Sequence, residues 1–184
     1  MNKKLNKWIV AATLLCASSI IFAINKSTWS VSSDKIGVRY AANGKLAVGH
    51  QFGFLKMYNH CDTDMLWVLL SSKNPEVKKL KGQKVEIAVL IDNGSALAIP
   101  LEYFQYTEVP PNFVATVFTN TPMNSKFIDL LNKSKKIDVK VNSPENLAGM
   151  MQVPAEEFDL AGMSAARDKA YKQCKANKSS FSKV

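Results

Sequence analysis

The chain has 184 residues and a mass of 20.4 kDa, room for one ordinary domain. Hydrophobic residues make up 47 %, charged residues 21 %, and the mean hydropathy is -0.08, which excludes wholesale disorder, collagen-like repeats and a polytopic membrane protein. The net charge of +9 overstates the basicity of the folded part, because an N-terminal targeting segment contributes to it.

Lys3, Lys4 and Lys7 precede an apolar run from Trp8 to Ala23, the order of the charged and hydrophobic regions of an export signal. Ile21 and Ala23 place the cleavage site after Ala23. The run is short for a membrane span and is interrupted by Thr13, Cys16, Ser18 and Ser19, so no integral span is expected once residues 1–23 are removed. Cleavage takes three lysines and one cysteine away, lowering the charge from +9 to +6 and leaving Cys61 and Cys174. An even pair of cysteines in an exported chain reads as a disulfide. The compartment expected is the periplasm, with secretion or outer-membrane association left open.

Short alternating runs separated by turn residues follow. Trp29 and Val31 alternate with polar neighbours; Ile36, Val38 and Tyr40 lead to Asn43-Gly44, and Leu46 and Val48 lie beyond it as the return of a hairpin. Met65–Leu70 is a continuous apolar run, as in a strand buried on both faces. A cationic connector from Lys73 to Lys81 carries Asn74-Pro75. Val85, Ile87, Val89 and Ile91 share one face of a strand, Asp92-Asn93-Gly94-Ser95 turns the chain, and Leu97, Ile99 and Leu101 alternate back. Pro100 cannot donate to a ladder, which predicts an edge or a bulge on that return strand.

Phe113, Ala115 and Val117 predict another strand. Helical spacing appears over Ser125–Lys133, with Phe127, Leu130 and Leu131 on one face; Ile137, Val139 and Val141 resume the β pattern. Further strands are expected at Met150–Val153 and at Phe158–Leu160, and a terminal helix from Ser164 as N-cap with Met163, Ala166, Ala170 and Cys174 as its buried stripe. The fold expected is mostly β: an antiparallel β-sandwich or partly closed barrel over 24–175, with one internal and one C-terminal helix and a flexible basic tail over 176–184. A bond between Cys61 and Cys174 would staple the terminal helix to the sheet.

The string Phe158-Asp159-Leu160-Ala161-Gly162-Met163-Ser164-Ala165-Ala166, ending at Cys174, resembles the closing strand, glycine turn, alanine-rich helix and terminal cysteine of the invasion-associated locus B-like family of exported bacterial proteins. Trp29, Cys61, the Ile91–Gly94 hairpin and the Phe127–Leu131 helix occur in a fitting order. The resemblance implies an envelope-associated β-sandwich in contact with a host or envelope component. It carries over Gly162 and Cys174 as structural positions and supplies no catalytic residue or cofactor.

The chemistry offered by the chain is sparse. His50 and His60 are its two histidines. His60 beside Cys61 evokes a small hydrolase, but neighbours in a strand point to opposite faces and a bridged cysteine is no nucleophile. Met57, His60, Asp62, Asp64 and Met65 mix soft and hard metal ligands without making a coherent set. Glu156-Glu157 read as a solvated pair on a turn. Lysines cluster from Lys73 to Lys84 and again toward the C-terminus, while only Arg39 and Arg167 are arginines, a pattern that argues against sequence-reading nucleic-acid binding. Lys78, Lys79, Lys81, Lys135, Lys136, Lys172 and Lys175 are the expected contact surface for a protein or anionic envelope component. The function expected is a non-enzymatic binding module, one version being a periplasmic immunity or inhibitor protein; a hydrolase or metal-handling protein centred on His60 is the competing class.

Overall fold

The structure is a computed structural model that describes residues 28–181 apart from 95, 110–112 and 154. The expected export signal at 1–23 and the last residues of the expected tail lie outside the described residues. Nine strands form one antiparallel sheet: β1 (Trp29–Ser33), β2 (Gly37–Asn43), β3 (Gln51–Met57), β4 (Asp64–Ser72), β5 (Lys84–Ile91), β6 (Ala96–Val109), β7 (Phe113–Met123), β8 (Lys136–Ser143) and β9 (Glu156–Asp159). Their spatial order is β1-β2-β3-β4-β7-β6-β5-β8-β9. The helices are α1 (Ser125–Lys133), α2 (Glu145–Met150) and α3 (Met163–Phe181), with a 3-10 segment at Pro75–Leu80.

The sheet curls until its two ends meet without closing. Trp29 Nε1 on β1 donates to the Asp159 carbonyl on β9 at 2.9 Å, and the backbone N–H of Lys45 donates to Glu157 O at 3.0 Å. Inside the curl, the inward residues of each strand meet: Tyr40, Phe52, Phe54, Leu66, Val68, Ile87, Val89, Tyr103, Phe118, Ile137 and Phe158 form one buried cluster. Its rings touch in series, Tyr40 stacking on Phe54 and Phe52 lying 5.7 Å from Phe158. The Phe52–Phe158 contact joins β3 to β9, strands far apart in the sheet order, and so fixes the curl by aromatic packing.

Turn chemistry explains the β5–β6 hairpin. Asp92 and Asn93 both have positive φ, 47° and 61°, as the two central positions of a tight mirror-image turn require. Asp92 Oδ1 also accepts from the Lys135 and Lys136 amides at 2.9 and 3.0 Å, tying this turn to the start of β8. Pro100 pairs with Glu86 of β5, the pairing described with β7 begins at Glu102, and a register shift follows between Tyr103 and Gln105. The bulge that the proline predicted on this strand is present, at Phe104.

Several expectations are corrected. Leu46 and Val48 are not the return arm of a hairpin: they lie in the loop between β2 and β3, 64 % and 92 % exposed, and β3 starts only at Gln51. The stretch before Met151 forms α2, and Met151 makes a single bridge to Ser72 instead of a strand. The buried face of α1 is Ile128 and Leu131 with Phe127 beside them, while Leu130 is exposed. α3 begins at Met163, so Ser164 lies inside the helix, and it continues to Phe181, past the expected start of a flexible tail at 176.

The stripe Met163, Ala166, Ala170 and Cys174 is buried as its spacing predicts, and α3 packs across β1, β2 and β3. The Cys61–Cys174 disulfide, with a sequence separation of 113, fastens this helix to the β3–β4 turn. Closing so long a loop restricts the unfolded chain by an amount worth roughly 4–5 kcal/mol. Replacing Cys61 by Ser in an oxidised chain of residues 24–184 is therefore expected to lower unfolding free energy by about 2–5 kcal/mol in urea titration. Thiol counting on residues 24–184, denatured and with both cysteines intact, should find no free sulfhydryl.

Candidate functional site

The outward side of β2, β3, β4, β7 and β6 carries a groove of about 220 Å³, lined among others by Ile36, Arg39, Leu55, Met57, Met65, Trp67, Phe104 and Val117. Strand alternation puts Arg39, Leu55, Trp67 and Val117 on the face opposite the aromatic core. Small residues open the floor: Ala41 pairs with Gly53, and Gly53 with Trp67. A Cβ on Gly53 would collide with the Tyr40 carbonyl and Ala41, so only glycine allows β2 and β3 to approach here.

Two strand irregularities shape the walls. Leu66 pairs with Thr121 but Val68 with Phe118, leaving an extra residue on β7 opposite Trp67. Tyr103 pairs with Phe118 and Gln105 with Val117, leaving Phe104 as the extra residue on β6. Such bulges re-aim side chains, and Phe104 and Gln105 both line the groove as a result. Trp67, with Ala41 and Val117, forms a second apolar cluster on this face. The Arg39 guanidinium lies 4.5 Å from the centre of the Trp67 ring. Arg39 has Ser32 Oγ at 3.4 Å but no carboxylate partner among the described residues. Ile36 and Phe104 at the rim are 50 % and 48 % exposed.

Behind this face, inside the sheet, lies a buried ionic cluster. Asp64 Oδ1 meets Lys56 Nζ at 2.6 Å and accepts from Tyr40 OH at 2.7 Å; Oδ2 accepts from Arg167 Nε and one terminal nitrogen at 2.9 and 2.7 Å. Lys56 Nζ also donates to the Cys61 carbonyl at 3.2 Å. Burial opposes ionisation of Asp64, but the hydrogen bonds from Arg167, Lys56 and Tyr40 outweigh it and hold the carboxyl below its usual range. Burial, reinforced by the Asp64 charge, pushes the Tyr40 phenol well above its ordinary value. A polar pit of about 260 Å³ opens beside the cluster, lined by Lys56, Asp62, Arg167, Asp168 and Tyr171, charges of both signs.

A second buried pair seals the β2–β3 loop. Glu156 is 1 % exposed, the reverse of the solvated pair expected, because its carboxylate accepts from the Leu46 and Ala47 amides at 2.7 and 2.9 Å. His50 Nδ1 lies 2.9 Å from Glu156 Oε2, and Nε2 lies 3.4 Å from Ser71 O. Burial pushes the His50 pKa down, against the opposing pull of Glu156 and the Ser71 carbonyl. Glu157, by contrast, is shared by Lys136 and Lys45 at 2.8 and 2.6 Å, and their hydrogen bonds lower its pKa to about 2.

The seven lysines expected to make one surface stand in three places. Lys78, Lys79 and Lys81 are on or just after the 3-10 segment, Lys135 and Lys136 at the entry to β8, and Lys172 and Lys175 on α3. Lys78 pairs with Glu108, Lys79 with Glu76, Lys136 with Glu157 and Lys175 with Asp62. His60 is exposed on the β3–β4 turn, whereas Cys61 is bonded to Cys174 and Asp64 is committed to the ionic cluster. No group of three metal-ligating side chains occurs among the described residues, and no helix there is long and apolar enough to cross a membrane.

No family model, curated protein or solved structure matches the chain. Its own geometry therefore carries the functional reading.

Trp67 and Arg39 were not singled out by the sequence. The signal was there in Met65–Leu70, whose lack of alternation means that the outward face of β4 is covered too. Lys56 and the strand that carries it were missed as well; the signal that could have found them is the period-two spacing of Phe52, Phe54 and Lys56. The bulge on β7 left no sequence mark, whereas Pro100 had predicted an edge or a bulge on β6.

Two measurements test the buried groups. A His whose folded pKa is depressed contributes fully above its unfolded value, about 6.5, and loses that contribution as pH falls toward the folded pKa. The melting temperature should therefore fall on acidification from pH 7 to pH 5, and His50→Gln should flatten that decline. Glu156→Ala, which strands the Leu46 and Ala47 amides, should cost about 1–3 kcal/mol in urea unfolding.

Proposed function

We propose that the chain is an exported, non-enzymatic binding module of the bacterial envelope and that the outward groove is its contact surface for a protein partner. The observation that carries the reading is Trp67 held under Arg39 on the face opposite the core, with Ile36 and Phe104 half-exposed at its rim. Tryptophan and arginine in a concave, mostly apolar setting are the residue types that dominate protein interfaces. Trp67 is 5 % exposed and forms the floor of the groove, so a partner would meet Arg39, Ile36 and Phe104 at its rim.

The remaining features support contact over catalysis. Cys61 is consumed in the cross-link, His50 is buried against Glu156, and His60 stands exposed on a turn. The disulfide and the leader-like N-terminus agree on an oxidising, extracytoplasmic compartment. The C-terminal resemblance to the invasion-associated locus B-like family points to the same setting.

Paired affinity capture tests this. Oxidised parent chain and an Ile36→Glu variant are used as baits against envelope extract, with recovered proteins quantified by mass spectrometry. Ile36 sits on the exposed groove rim, so the variant should fold normally while losing a protein that the parent retains. Equal recovery by both baits would contradict the groove as contact surface.

A further inference from the structure

The second half of β6 is paired on one side only among the described residues. β5 pairs with β6 only from Ala96 to Glu102, and the last support on that side comes from Gly82 and Gln83, which exchange hydrogen bonds with Tyr103 at 2.8 and 3.0 Å. From Phe104 to Val109 the strand has β7 on one side and no strand on the other among the described residues. All six of these residues are exposed. The other sheet ends are covered: β9 receives the Lys45 amide and the Trp29 indole, and α3 packs against β1.

Phe-Gln-Tyr-Thr-Glu-Val is rich in strand-forming residues, and Phe104, Tyr106 and Val109 are 48 %, 40 % and 43 % exposed. Edges of this kind template pairing with another chain unless they are blocked by charge, proline or a covering element. Glu108 is the one charged residue of the six, and it is neutralised by Lys78, whose ammonium also lies 5.9 Å from the Tyr106 ring.

The flank of this edge is basic. The chain passing Tyr103 belongs to the lysine connector, which has five lysines against Glu76 between Lys73 and Lys84. With Lys79 on Glu76 and Lys78 on Glu108, Lys81 is exposed and has no carboxylate partner among the described residues. A second copy of the chain pairing across this edge would bring two such connectors together, which charge repulsion disfavours.

We infer that β6 from Phe104 to Val109 is a strand-addition site for an extended acidic segment of a partner protein, the backbone edge supplying the ladder and the Lys81 flank the choice of charge. This rests on reading the chain as a binding module but uses the backbone edge of β6, which adjoins the groove at Phe104 and Gln105.

The test uses oxidised mature chain and two synthetic ten-residue peptides, one alternating valine with glutamate and one alternating valine with lysine. Fluorescence anisotropy should show the glutamate peptide binding at least about tenfold more tightly, with affinity falling as salt rises. Hydrogen exchange should slow at residues 104–109 on its addition, and Lys81→Glu should weaken it about five- to tenfold. Tyr106→Pro and Thr107→Pro form a matched pair, because successive strand N–H groups point to opposite sides. One of the two should keep its melting temperature yet lose the peptide, while Ile36→Glu should leave peptide binding unchanged.

Equal binding of both peptides, no slowing of exchange at 104–109, or retention of the peptide by both proline variants would overturn the inference. So would a dimer of the unliganded chain with those amides already protected. A failure of the groove reading appears separately, as equal capture by the parent and Ile36→Glu baits.

Discussion

Asp64 is the joint on which the architecture turns. One carboxylate holds Tyr40 from β2, Lys56 from β3 and Arg167 from α3, all within 2.9 Å. Lys56 sits where apolar packing alone would exclude it: it is 1 % exposed and points into the same interior as Phe52 and Phe54. A buried lysine is tolerable only when paired and hydrogen-bonded, and Asp64 with the Cys61 carbonyl supplies both. The cluster therefore gives α3 a single polar seat on the sheet, a few residues from the disulfide that prevents the helix from leaving.

The remainder of the fold follows from how that helix and Glu156 finish the curl. α3 covers β1 and β2, and Glu156 takes the amides of the β2–β3 loop, so the two sheet ends are sealed by polar bonds and side-chain packing without a continuous ladder. A sheet finished in this way leaves two surfaces unsatisfied. One is the outward face around Trp67, where bulges on β6 and β7 open a groove. The other is the half of β6 that outruns β5. The second follows from unequal strand lengths, since β6 has 14 residues and β5 has 8.

Much of this was legible in the residues. Alternation placed β5 and β8 on the right faces, Asp92-Asn93 located the tight turn, and the Met163–Cys174 stripe identified the helix that the disulfide would hold. What failed did so for physical reasons. Asn43-Gly44 looked like a two-residue turn, but Gly44 is needed for close packing against Glu156, and the chain instead makes a longer loop around that carboxylate. Glu156 looked solvated because its partners are backbone amides, which no side-chain pattern reveals. The groove was hidden for a related reason: the bulges that aim Phe104 and shape the space around Trp67 depend on pairing between strands, not on the residues of either strand alone.

The central claim is that Asp64 and Arg167 act together to seat α3. A double-mutant cycle measures it directly: urea unfolding of the oxidised parent chain, Asp64→Asn, Arg167→Met and the double variant. The account predicts a coupling free energy of about 1–3 kcal/mol between the two positions. Additive effects, with coupling near zero, would contradict it and leave the disulfide and the apolar stripe as the whole basis of helix docking.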